Sequence, residues 1–170
     1  MERASTKFKA LINALCTAPV LEFPNLNIPF NICTDAPKYG IGGFLWHLID
    51  DMERPNAYVS RTLKDYERRY SVYEKEALAI KFCIRSFKKY IYGVKFRIYT
   101  DHKPLIAFRK AEINPRVYRW RVELAEYNYE ILYRPGKYNT VADALSRNPV
   151  KRAFIGILMR AQKAKIFKKI

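Results

Sequence analysis

The chain has 170 residues, 49% of them apolar and 28% charged, with a net charge of +16. That composition excludes a wholly disordered chain and fits one domain with its own core, while the positive field favours a polyanionic partner, nucleic acid before acidic membrane. No apolar run approaches the roughly 18–20 residues of a bilayer span, and no N-terminal segment has the form of a secretory signal.

In chain order, STKFKALINAL (residues 5–15) predicts a short helix, with Phe8, Leu11, Ile12 and Leu15 on one stripe. TAPVLEFPNLNIPF holds three prolines and reads as an irregular connector. FNICTD (30–35) is a first strand, YGIGGFLWHLI (39–49) a second, Asp50 to Glu53 a polar turn, and RPNAYVSRTL (54–63) a third. Their close spacing predicts an antiparallel meander. SVYEKEALAIKFCIRSFKKYIYG (71–93) predicts the main helix, with Ser71 as its N-cap and Gly93 as its stop. VKFRIYTD (94–101) is a fourth strand, so the helix makes a crossover. Short helices follow over 103–110 and 115–127, the latter with Pro115 in its first turn, then a fifth strand over 128–135. A last helix, with Asn139 as its expected cap, covers 139–147. Residues 148–170 carry seven basic and no acidic side chains, so a net +9 remains on residues 1–147. This tail suits a surface helix, a nucleic-acid arm, a membrane-surface segment or a plain extension. Cys16, Cys33 and Cys83 have no metal-ligand spacing and read as buried thiols of a reducing compartment.

Two strands end in Thr-Asp, at Asp35 and Asp101. Ligands of open α/β sheets gather at the carboxyl ends of strands, although Asp is also common there simply as a turn residue. The main helix offers Glu74 and Glu76. Glu76 shares its stripe with Val72, Tyr73, Ile80, Cys83, Ile84 and Phe87 and should point inward, whereas Glu74 neighbours Leu78, Lys81 and Arg85 on a wetter face. A buried carboxylate must be paired, protonated or bound to metal. Asp143, between Ala142 and Ala144, is a fourth candidate, with Arg147 four residues on as a plain helix partner. Carboxylates gathered in one pocket repel by roughly 4 kcal/mol per pair at about 4 Å and an effective dielectric of about 20. Divalent cations with hard oxygen ligands relieve that repulsion, so an acidic pocket in a basic body points to a metal-dependent nuclease.

The segments FNICTDAPKYGIGGFLWH, YSVYEKEALAI, FRIYTDHKPL and YRPGKYNTVADALSR stand in an order that resembles the ribonuclease H domain of reverse transcriptases from gypsy-like LTR retrotransposons. KALINALCTAPVLEFPN resembles the end of the connection segment that precedes that domain. The resemblance implies an α/β ribonuclease H-like fold with a five-stranded mixed sheet and flanking helices. It divides the chain into a connection remnant (1–28), the ribonuclease H-like domain (29–148) and the basic tail (149–170). It implies Asp35, Glu76, Asp101 and Asp143 as catalytic and metal-holding residues, two Mg²⁺ ions for which Mn²⁺ can substitute, and hydrolysis of the RNA strand of an RNA–DNA hybrid. The polymerase domain of a parent polyprotein is an expected partner, and the location is intracellular: cytoplasm, nucleus or transposon particle. Cellular ribonucleases H often carry a His in the loop before the last Asp. Here that loop is RPGKYN, with Lys137 and Tyr138, and the only histidines are His47 and His102. No aromatic-x-Asp-Asp polymerase signature is present, since Leu48 and Ile49 precede Asp50-Asp51. Two rival readings stand beside the enzyme: a catalytically silent nucleic-acid-binding relic, and a membrane-surface or partner-binding module acting through the tail.

Overall fold

The computed structural model describes residues 21–108 and 114–147. The expected helix over 5–15 and the basic tail lie outside them.

Five strands form one mixed sheet in the order β3-β2-β1-β4-β5: β1 Phe30–Asp35, β2 Gly40–Ile49, β3 Met52–Thr62, β4 Phe96–Thr100 and β5 Tyr129–Tyr133. β1, β2 and β3 make the predicted antiparallel meander. Asp50 and Asp51, both at positive φ (51° and 57°), close the β2–β3 hairpin as its two-residue turn. That is the mirror-image turn whose twist matches paired strands. β4 then pairs parallel to β1, and β5 parallel to β4. Parallel neighbours need a crossover, and α1 (Val72–Ile91) supplies the one between β3 and β4.

α1 packs on one face of the sheet through Ile80, Cys83, Ile84, Phe87 and Ile91, against Phe30, Ile32, Leu45, Phe96 and Ile98. α2 (Pro115–Glu123) adds Val117 and Trp120 to the same core. α3 (Thr140–Arg147) covers the opposite face, where Ala142 and Leu145 meet Cys33, Phe44 and Trp46. Side chains alternate along a strand. Phe30 and Ile32 on β1, and Phe96 and Ile98 on β4, therefore lie toward α1, while Cys33 and Tyr99 lie toward α3. Asp35 and Asp101 continue the α3-facing series. Phe30 is paired with Phe96, and each aspartate is five residues further on, so the two acids emerge side by side at the carboxyl ends of two neighbouring interior strands.

Two glycines let both helices approach β2. A Cβ on Gly42 would fall 2.5 Å from the Ser146 nitrogen and 2.8 Å from the Ala142 oxygen, both on α3. A Cβ on Gly43 would strike Cys83 of α1 on the other face.

The connector before β1 is tied to the sheet edge. Glu22 donates its N–H to the Pro55 carbonyl (2.6 Å), and Asn56 donates its side-chain amide to the Glu22 carbonyl (3.0 Å). Asn25 donates its N–H to His47 Nε2 (3.1 Å), and His47 Nδ1 lies 3.2 Å from the Pro29 carbonyl oxygen. His47 is thus a fully buried latch for this segment.

Four expectations need correction. β3 spans Met52–Thr62 rather than 54–63, because the hairpin turn takes only Asp50 and Asp51 and leaves Met52 and Glu53 paired with β2. α2 ends at Glu123 rather than 127, because Leu124 and Tyr127 turn their side chains into the core as the chain enters β5. Val72, placed on the inward stripe, is exposed. Glu74 is not on a wet face. It completes a capping box, accepting the Ser71 N–H (2.9 Å) while Ser71 Oγ accepts the Glu74 N–H, and it also accepts from Asn114 (3.0 Å) and Arg116 (2.5 Å) at the start of α2.

Candidate metal centre

Asp35 ends β1, Asp101 follows β4, and Glu76 in the second turn of α1 meets them at the carboxyl ends of those strands. Each offers one carboxylate oxygen, and these oxygens all lie within 4.8 Å of one another. Asp35 and Glu76 are buried, and Asp101 faces solvent. Among the described residues this is the one such cluster of acids.

The partners of each acid differ. Glu76 Oε1 accepts the backbone N–H of Ala36 at 3.2 Å, while its Oε2 is buried with no hydrogen-bond partner among the described residues. Burial, reinforced by the charges of Asp35 and Asp101, pushes the Glu76 carboxyl up to about 8. Burial also raises the Asp35 carboxyl, with the negative charges of Asp101 and Asp143 adding to it. A hydrogen bond from the Ser146 hydroxyl to Asp35 Oδ2 and the positive charge of Arg147 act the other way. Asp101 is crowded by the loop after β5, where a Cβ on Gly136 would lie 3.1 Å from Asp101 Oδ2.

Asp143 is not one of the converging three. Its two oxygens accept from Arg147 Nε at 2.7 and 2.8 Å, the helix pair that the i,i+4 spacing allowed. It remains close enough for its charge to act on Asp35. Asn139 precedes α3 as expected, but its side-chain amide donates to the Thr34 carbonyl (2.9 Å) and ties the loop to β1.

The donor set suits a divalent cation. Three carboxylates offer hard oxygen ligands, and the orphaned Glu76 Oε2 is a buried acceptor that no group among the described residues satisfies. The alternatives are to keep a proton, as its raised carboxyl allows, or to take a cation.

The remaining candidates are elsewhere. His102 donates its backbone N–H to Thr100 Oγ1 (3.2 Å), stands edge-on to Tyr73 at 5.8 Å and opens the 3₁₀ turn Lys103–Ala107. Cys33 and Cys83 are free, buried thiols, that of Cys33 pushed up to about 11 by burial and that of Cys83 higher still. No helix among the described residues is long and apolar enough to cross a membrane. Ser146, Gly42 and Gly136 were not singled out from sequence. The Gly-Gly step in β2 was the available signal, since glycine inside a strand marks close approach of another chain segment.

Against known proteins, the RNase H-like domain found in reverse transcriptase matches residues 25–127. The chain is 41% identical over 150 residues to the retrovirus-related Pol polyprotein from transposon opus of Drosophila melanogaster, covering 87% of this chain and 15% of that polyprotein. It is 38% identical over 149 residues to the corresponding polyprotein from transposon gypsy of the same organism, covering 86% and 14%. The chain therefore spans only about a seventh of the relatives it matches. The N-terminal RNase H domain of rv2228c from Mycobacterium tuberculosis superposes with a TM-score of 0.56 at 16% identity, over 71% of this chain and 92% of that one, a likeness of fold.

Proposed function

The chain belongs to the RNase H-like domain family found in reverse transcriptases of retrotransposon Pol polyproteins, and from that premise we propose that it is a metal-dependent endonuclease cutting the RNA strand of RNA–DNA hybrids. One observation carries the reading: Asp35, Glu76 and Asp101 converge from three separate elements, with Glu76 Oε2 left buried and unpartnered.

In this reading Asp35, Glu76 and Asp101 hold the cation, with Asp143 at the rim. A divalent ion bound there, Mg²⁺ or Mn²⁺, supplies the charge that acidifies a water and offsets negative charge building on a phosphodiester. The protein's own contribution is positional. Ala36 N–H fixes one oxygen of Glu76 and leaves the other buried with no hydrogen-bond partner among the described residues. Asp101, exposed, is the acid a polynucleotide can approach from solvent. The net +9 of residues 1–147 draws the polyanion to this otherwise acidic spot. Preference for hybrid over DNA duplex rests on contacts to 2′-hydroxyls. No polymerase chemistry is assigned to these residues, since Asp50-Asp51 is a hairpin turn.

The test is incubation with end-labelled RNA–DNA hybrid, DNA duplex and RNA duplex, with Mg²⁺ or with chelator. Metal-dependent cleavage of the hybrid alone, lost in Asp101→Asn, is expected. Tight hybrid binding without turnover at any metal concentration would instead establish a silent binding relic.

A further inference from the structure

The last turn of α3 does more than cover the sheet. Gly42 is the register partner of Asp35 across β1 and β2. Because Gly42 has no side chain, α3 settles directly onto it, with the Ser146 nitrogen only 2.5 Å from where a Cβ would stand. That contact places the fully buried Ser146 hydroxyl on Asp35 Oδ2. Ser146 Oγ also lies 2.8 Å from the Asp143 carbonyl oxygen, one helical turn back, which holds the rotamer while its single proton goes to the charged carboxylate, the stronger acceptor.

Resting on the metal-site reading above, we infer that Ser146 is a positioning residue for the cation: its hydroxyl commits one oxygen of Asp35 and thereby aims the other at the point shared with Glu76 and Asp101. Gly42 is the device that makes this reach possible. Groups that orient metal ligands from outside typically change metal affinity by 10–100-fold when removed. The carboxylate of Asp35 can rotate about its last bond, and without the hydroxyl it has no described side-chain partner to stop it. Ser146 is not itself a member of the converging acids and is not expected to touch the ion.

The experiment is Mn²⁺ titration by calorimetry on the full chain, with no nucleic acid present. Wild type should bind Mn²⁺ and Glu76→Gln should lose it. Ser146→Ala should bind at least about tenfold more weakly while its metal-free circular dichroism stays native. Ser146→Thr, which keeps the hydroxyl, should recover most of the loss. Where the alanine variant does not fold, Ser146→Cys, similar in size and a weak donor, should show the same loss. Wild-type affinity in Ser146→Ala, beside a defective Glu76→Gln, overturns the role of Ser146 and leaves the metal site standing. An equal loss in Ser146→Ala and Ser146→Thr also overturns it, since the hydroxyl would then be immaterial. Failure of wild type to bind Mn²⁺ at all overturns both readings.

Discussion

Glu76 should be a liability in the metal-free protein and an asset only in the loaded one. Its carboxyl titrates at about 8 in the fold against a reference value of 4.5. A carboxyl with a raised native pKa holds its proton more tightly when folded, so it costs nothing below about pH 4.5. Stability is then lost as pH rises from there through about 8. By proton linkage the loss is about 3 kcal/mol at pH 7 and approaches about 5 kcal/mol by pH 9. Glutamine has nearly the same shape, can accept from the Ala36 N–H with its carbonyl, and can donate its NH₂ toward Asp35 and Asp101. Glu76→Gln should therefore stabilise the chelated protein at pH 8.5 by several kcal/mol, on the order of 10 °C or more in Tm, and by little at pH 4.5. Urea unfolding at both pH values, with EDTA and then with saturating Mg²⁺, measures this. Mg²⁺ should raise wild type and leave the variant unmoved. Equal stability of the two proteins at pH 8.5 in EDTA would refute the reasoning, because Glu76 would then have to be satisfied by some protein group.

Other outcomes can be checked alongside. Asp35→Asn and Asp101→Asn should each lower hybrid cleavage at least about 100-fold in a gel assay, as expected when a ligand of a catalytic metal is removed. Asp143→Asn should lower it less, since Asp143 is tied to Arg147 rather than to the converging acids. Gly42→Ala should destabilise by about 1–3 kcal/mol in denaturant melts, because its Cβ would overlap the backbone of α3. Glu74→Ala breaks the capping box and removes the acceptor shared by Asn114 and Arg116, and should cost about 1–3 kcal/mol with little direct effect on metal binding. Hybrid affinity should fall with salt at a log–log slope near −4 to −5, for about five phosphate contacts.

Much of the fold is visible in the chain because its signals are local. Proline and glycine punctuate the ends of elements, the Ser71-x-x-Glu74 box starts α1, and alternation marks the strands. The inward face of α1 could be counted from residue spacing for Glu76, Ile80, Cys83, Ile84 and Phe87, but the same count put Val72 inward and Glu74 on a wet face, whereas Val72 is exposed and Glu74 is buried. What spacing could not show is what Glu74 does instead, because its partners Asn114 and Arg116 lie some 40 residues away. The same holds for Ser146 and Asp35, 111 residues apart and joined only after α3 settles on Gly42. The tie between Asp143 and Arg147 was local and could be read, but the competition between that pairing and the acid cluster is a matter of geometry.

The side-by-side emergence of Asp35 and Asp101 has a consequence for how this chain tolerates change. Their separation is set by counting, five steps from each of two paired phenylalanines. Lengthening the loops between β1 and β4 leaves that count intact. Inserting or deleting one residue inside either strand would leave the composition and every acid in place, yet send one aspartate to the wrong side of the sheet. The strands act as rulers, and the chemistry is only as good as their graduation.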